Sequence, residues 1–596
     1  MAYPYRPRAP RENTASIGAA RFTFLTDRFL RMEWSENREF IDGASFAVVN
    51  RKMAAVSWKR HEEEGRTVLS TPALRVEYRD NGKPFSKGNL QVEMALPGGN
   101  ASWSPGARDP ENLKGTYRTL DGCNGGVHRV RPGSHWDKAR GGRGEPIDLG
   151  TGLLSRSGWS FFDDSRSMLQ DGGWFAARPA SHRQDWYLLA YGRDYTAALR
   201  DASRVFGRQP LPPRYALGYW WSRYWAYTDA DLEEMVARFD RMDLPLDVLV
   251  VDMDWHLAGW TGYTWNRRYF PDPEDFIRRI KRRGIRVTLN LHPADGVGKH
   301  EEMFEAMARR LGLDPKRTGR IPFDCTDPEF MSAYFALLHH PKERMGVDFW
   351  WMDWQQGTKT AVPDLDPLPW LNILHWEDME KRAEERGGGE PARPLIFSRY
   401  GGLGSGRTPI GFSGDTYSTW ESLAYQPYFT ATASNALYGY WSHDIGGHMP
   451  GRIEPELYTR WIQFGAYSPI LRTHTTKNAE SERCTWEYPD PHNAVMREAL
   501  IRRYEMVPYI YTEDRKAMDS GVSLCRPLYY HWPEEEEAYR ARRQYMFGDL
   551  MMVGPVTAPR DDRTGTAAQE LWIPPGRWID TATGLEYQGP RRLAAR

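Results

Sequence analysis

Four aspartates close apolar runs in this 596-residue chain: Asp252 in DVLVVDMDW (247–255), Asp353 in DFWWMDW (348–354), Asp415 in IGFSGD (410–415) and Asp444 in YGYWSHD (438–444). One carboxylate at a strand end can simply cap the next helix or close a salt bridge. Several gathered in one place can divide into a nucleophile and a proton donor. Four further runs end in other polar groups: Arg223 in ALGYWWSR (216–223), His292 in RVTLNLHP (286–293), Arg399 in PLIFSRY (394–400), and Arg472 with His474 in SPILRTH (468–474). Rings flank the same ends, namely Trp221, Tyr224, Trp255, Trp350, Trp351, Trp354, Trp420 and Trp441. About half of such rings serve only to fill a core. The remainder, beside carboxylates that accept hydroxyl hydrogen bonds, suit a neutral polyhydroxylated ligand stacked by its C–H face.

The elements that must hold these groups follow from periodicity. The eight runs alternate with amphipathic stretches such as DADLEEMVARFDRM (229–242) and DPEDFIRRIKRRG (272–284). Near-continuous apolar strands separated by helices predict a parallel sheet covered on both faces, and eight such units predict a (β/α)₈ barrel. In that architecture the C-terminal strand ends form one rim, which is where the polar residues fall. Between the fifth and sixth runs lies the Gly-rich GGLGSG (401–406), with no helix pattern. Before the barrel, short alternating runs such as ALRVEYR (73–79) and LQVEMAL (90–96) predict an antiparallel β-sandwich. The expected layout is a disordered 1–15, a β-sandwich over 16–212, a barrel over 213–520 and a short C-terminal β-domain over 521–596 that reads as cut short. Residues 100–150, rich in Gly and Arg, read as long loops.

Composition removes several classes. The 79 Lys and Arg balance the 79 Asp and Glu, so nothing marks a nucleic-acid partner. No stretch approaches the roughly 18 apolar residues of a membrane span, and the N-terminus has no apolar core of a secretory signal. Four scattered cysteines form no CxxC pair, which fits a reducing compartment, and a cytoplasmic location is expected. HDIGGH (443–448) matches neither HExxH nor a cysteine–histidine module, and GGLGSG does not match GxGxxG. Neither a metal nor an organic cofactor is expected.

DFWWMDWQQG (348–357), FSRYGGLGSGRTPIGFSGDT (397–416), YWSHDIGGH (440–448) and PELYTRWIQFGAYSPILRTH (455–474) resemble the blocks of glycoside hydrolase family 31, in order. PPRYALGYWWSR (212–223), VVDMDWH (250–256) and WIPPGRWIDTATG (572–584) are similar to further blocks, so the resemblance covers roughly 210–590. It implies α-glucosidase or α-xylosidase-like chemistry, with Asp353 as nucleophile and Asp415 as general acid/base. It also implies that Asp252, Arg399, Asp444, His474 and Trp351 contact the sugar. Two departures border that subsite. Typical α-glucosidases follow the nucleophile with a small apolar residue and Asn-Glu, where this chain has Trp354-Gln355-Gln356, and His448 stands where a Phe closes the block. Trp354 and His448 therefore join the candidate substrate-binding residues.

The implied reaction is exo-acting hydrolysis of a terminal α-glycoside with retention, through a covalent glycosyl-aspartate. It requires carboxyl groups about 5–5.5 Å apart, with Asp353 ionised beside a cation and Asp415 protonated in a less solvated setting. A transglycosylase or a lyase would use the same two carboxylates, and a non-catalytic carbohydrate-binding protein would use only the pocket. The expected partner is an α-linked oligosaccharide or glycoside.

Overall fold

The computed structural model describes residues 5–115, 119–128, 145–257, 259–386, 393–399, 401–449 and 453–595. Two five-stranded antiparallel sheets face each other in the N-terminal region. One orders Thr14–Ile17, Ala20–Phe24, Phe29–Ser35, His182–Leu189 and Ser160–Asp163; the other runs in sequence from Lys59–Glu63 to Gly99–Trp103. Alternation does the work here: in Leu90–Leu96 the residues Leu90, Val92 and Met94 point inward and their neighbours outward. They meet Phe22, Leu30, Met32 and Trp34 of the facing sheet in one apolar core.

Residues 5–15 depart from the expected disorder. Arg6 bridges Asn50, and buried Asn13 donates to the Ala54 carbonyl at 2.8 Å while accepting from the Val56 amide at 2.9 Å. A buried amide satisfied on both sides anchors a segment whose composition alone reads as loose. Residues 1–4 lie outside the described residues, as do 116–118 and 129–144 of the Gly- and Arg-rich region.

All eight apolar runs become strands of one parallel sheet: β1 (Tyr219–Trp221), β2 (Val248–Val251), β3 (Arg286–Leu291), β4 (Phe349–Met352), β5 (Ile396–Arg399), β6 (Gly411–Phe412), β7 (Trp441–Ser442) and β8 (Leu471–Thr473). Neighbours in sequence pair in space, β8 pairs with β1, and a bridge from Ser442 to Ile470 joins β7 to β8, closing the ring. Among the described residues between β5 and β6 only the 3₁₀ turn Ser405–Arg407 stands, as the sequence predicts. Elsewhere helices cover the ring. Asp229–Arg241 starts on a capping box between Thr228 and Asp231, and Pro273–Arg282 has Asp272 as its N-cap.

Large side chains fill the barrel and the layers packed around it. Trp220, Trp221, Trp255, Trp350, Trp351 and Trp441 are all essentially inaccessible, so most of the rings flanking the strand ends are core. Arg472 is fully buried among them, 5.0 Å from the Trp351 ring, 4.8 Å from Phe397 and 5.4 Å from Phe412. The helix His492–Ser520 follows and ends at Gly521. Beyond it come a three-stranded sheet (Cys525–Arg526, Tyr545–Phe547, Met551–Val553) and a long hairpin of Gln569–Ile579 with Glu586–Ala595. Among the described residues no helix is long and apolar enough to cross a membrane.

Candidate active site

Asp353 follows β4 directly, and its amide donates to the Leu291 carbonyl at the end of β3. The carboxylate accepts from Arg399 Nε at 2.7 Å and Asn290 Nδ2 at 3.2 Å, and His292 Nε2 lies 3.2 Å away. Burial alone would raise its pKa. The Arg399 charge and His292 outweigh that and hold the carboxyl well below the usual carboxylate range.

Arg399 ends β5, 3% exposed, with its guanidinium 4.5 Å from the Phe412 ring. It grips three carboxylates. Nε and Nη2 reach Asp353 Oδ1, Nη2 also reaches Asp415 Oδ1, and Nη1 donates to Asp121 Oδ1. One nitrogen thus stands 2.7 Å from Asp353 Oδ1 and 3.2 Å from Asp415 Oδ1, which limits the two oxygens to a separation of ~5.9 Å, the sum of those contacts.

Asp415 follows β6 through Ser413 and Gly414. Gly414 has φ +86°, and a Cβ there would stand 2.1 Å from Asp121 Oδ1, so only glycine fits this approach. The Asp415 amide donates to Asp121 Oδ1 at 3.0 Å, and Gln355 Nε2 donates to Asp415 Oδ2 at 2.9 Å. Burial raises the Asp415 pKa. Asp121 and Asp353 add to the rise, while His448 and Arg399 oppose it.

A second group lies around the β2, β7 and β8 ends. Asp252 accepts from the Met253 amide at 2.7 Å, and burial, with the Asp353 charge, pushes its pKa up to about 7. Asp444 is held by Arg472 on Oδ1 and lies 3.2 Å from His448 Nδ1 on Oδ2. Burial would raise the Asp444 pKa, but Arg472 holds it well below the usual range. His474 pairs Nδ1 with Ser222 Oγ at 2.7 Å and sets Nε2 3.6 Å from Asp252; burial keeps it neutral. His448 behaves oppositely: burial disfavours its charge, yet Asp415, Asp444 and Asp252 together raise its pKa to about 9. Asp444, His448 and His474 offer ligand atoms within 4.8 Å of one another and are the residues here best placed to hold a metal, although Arg472 already neutralises Asp444.

Trp351 packs edge-on against His474, with centroids 5.1 Å apart. Trp354, in the segment after β4, has contacts of its own. Its ring packs on Phe323 and its N–H donates to the Gly357 carbonyl at 2.7 Å, contacts that hold the loop following Asp353. Trp420 likewise donates its N–H to Glu454. Sequence reasoning missed two participants, Asn290 and Asp121, and named His292 only as the polar end of its run. Asn290 gave no signal beyond its place in a strand. Asp121 comes from the N-terminal region, 278 residues before Arg399, where no periodicity pointed to it.

The family model for the glycosyl hydrolases family 31 TIM-barrel domain matches residues 209–513, and that for the family's C-terminal domain matches 521–596. An alpha-xylosidase of Saccharolobus solfataricus is 26% identical over 439 residues, 70% of this chain and 58% of that protein. The neutral alpha-glucosidase AB of Homo sapiens is 28% identical over 445 residues, 68% of this chain and 45% of that protein. The chain thus aligns with about half the length of these curated relatives. In fold, a Flavobacterium johnsoniae GH31 dextranase complexed with isomaltotriose superposes with a TM-score of 0.75 at 18% identity, covering 99% of this chain and 79% of that one. A GH31 alpha-xylosidase from a soil metagenome, complexed with xylose, gives 0.71 at 20% identity, covering 98% and 95%. Barrel and C-terminal region are both matched by the family's own models, and the chain belongs to glycoside hydrolase family 31.

Proposed function

We propose that the protein is a retaining, exo-acting α-glycoside hydrolase in which Asp353 attacks the anomeric carbon and Asp415 protonates the leaving oxygen. The observation that carries this reading is the shared Arg399 nitrogen. A limit of ~5.9 Å between one oxygen of each carboxyl group accords with the roughly 5–5.5 Å between the carboxyl groups of retaining enzymes. The opposed pKa shifts add support: Asp353 is held ionised as a nucleophile must be, and Asp415 is pushed toward the protonated form a general acid needs. In the second half of the cycle Asp415, now ionised, takes a proton from water, and that water releases the sugar from Asp353. Asp252, Asp444 and His474, each at most 7% exposed, form a closed end suited to one terminal sugar. The relatives' names point to glucose or xylose.

The test is release of p-nitrophenol from α-linked glucosides, xylosides, galactosides and N-acetylgalactosaminides, with wild type beside Asp353→Ala. Turnover of one member that disappears in the variant is the expected result. Equal turnover by both proteins would remove Asp353 from the mechanism, and product analysis separates hydrolysis from glycosyl transfer.

A further inference from the structure

The segment Trp354-Gln355-Gln356-Gly357, where this chain departs from typical α-glucosidases, is built as a bracket. Trp354 is wedged on Phe323 and ties its N–H to the Gly357 carbonyl. Gly357, at φ +97°, makes the turn that allows this closure. Gln356 folds its side-chain oxygen back onto the Gln355 amide at 3.0 Å. Gln355 is thereby presented, half-buried, across the cleft from the nucleophile's strand to the acid/base, where its Nε2 meets Asp415 Oδ2 at 2.9 Å.

Resting on the reading above, we infer that Gln355 is a positioning residue that holds Asp415 Oδ2 as a hydrogen-bond acceptor and so keeps the transferable proton on Oδ1. Oδ1 is the oxygen on the nucleophile's side, since it shares Arg399 Nη2 with Asp353 Oδ1. In glycosylation the Oδ1–H bond breaks as the glycosidic oxygen takes the proton, the C1–O pair leaves with the aglycone, and Asp353 bonds to C1. In deglycosylation Oδ1 takes a proton from water, the water oxygen bonds to C1, and Asp353 departs as carboxylate. A donor fixed on Oδ2 serves both halves, because Oδ2 remains an acceptor throughout. The long contact from Arg399 at 3.2 Å is the one that yields when Oδ1 is protonated. The other charged groups acting on Asp415 are Asp121, Asp353 and His448.

The experiment compares the full-length wild type with Gln355→Ala, Gln355→Asn and Gln355→Glu, on a pair of substrates sharing whichever sugar of the panel is turned over. One is the methyl α-glycoside, whose leaving group must be protonated; the other is the α-glycosyl fluoride, which depends far less on an acid. In Gln355→Ala and Gln355→Asn, whose side chain is one methylene short, kcat/KM for the methyl glycoside falls about 10–100-fold while the fluoride changes less than about 3-fold. The alkaline limb of the pH profile moves up by about half a unit, because a donor to the ionised carboxylate is lost. Gln355→Glu moves it further, by adding a like charge. Equal losses on both substrates with an unmoved limb would show a merely structural loop and overturn the inference alone. A wild type inactive on every member of the panel, or an Asp353→Ala that keeps its turnover, would overturn the proposed function and this inference with it.

Discussion

Replacing Asp121 by asparagine keeps the shape of the site and removes one charge. The amide oxygen still accepts from the Asp415 backbone N–H, a contact of 3.0 Å in the native protein, and Arg399 keeps its other two carboxylates. What changes is the field on Asp415. Asp121 and Asp415 are gripped by one guanidinium, and two like charges so placed repel by about 2–3 kcal/mol at an effective dielectric constant of ~20. At 1.36 kcal/mol per unit that is about two pH units, of which solvent entering the open cleft screens a part. Removing the repulsion makes the ionised form of Asp415 easier to reach, and Arg399, with one carboxylate fewer to serve, favours that form further. The alkaline limb of kcat/KM, which reports the free enzyme's general acid, is therefore expected to fall by about 1–2 pH units. The plateau at lower pH should stay within about tenfold of wild type. The assay is kcat/KM from pH 4 to 9 on the responsive p-nitrophenyl glycoside. A limb that stays in place or rises would refute the argument, since it would mean that Asp415 does not feel the charge donated by the N-terminal region.

Other outcomes follow from the same geometry. Asp415→Ala should lose about 10²–10⁴-fold on substrates with poor leaving groups and much less on glycosyl fluorides, whereas Asp353→Ala should fail on both; steady-state rates on the two substrates decide it. Gly414→Ala would drive a Cβ into Asp121 from a left-handed backbone, so activity should collapse, read by turnover beside an intact circular-dichroism spectrum. Arg472→Ala leaves the buried Asp444 without its cation and should cost about 3–5 kcal/mol of stability, seen as a lowered Tm.

The barrel was legible because each strand is short, apolar and bounded, and because its polar terminus breaks the run at the rim. That pattern located Asp353, Asp415, Asp444 and Arg399 without any knowledge of pairing. Asp121 was not legible, since its role depends on a loop crossing from one folding unit to another, and such a contact leaves no local period. The second role of Trp354 was hidden for a related reason: its ring packs on Phe323 and its N–H closes the turn at Gly357, contacts that the indole's place beside Asp353 does not announce. The N-terminal fifteen residues look loose by composition, but the amide of Asn13 is paired to a segment forty residues away. Side-chain hydrogen bonds of that kind carry no signature in hydropathy.

The pairing of β8 with β1, Leu471 beside Tyr219, also has a consequence for how the molecule is made. The first barrel strand leaves the ribosome with one edge open, and its partner on that side emerges 252 residues later. At about 10 residues per second the wait lasts roughly 25 s. The sandwich can be complete by then and shelter the growing chain, but the barrel cannot close before its last strand arrives. Nascent chains halted short of Leu471 should accordingly present a protease-sensitive barrel behind a resistant sandwich, and stopping just past Ser520 should restore resistance.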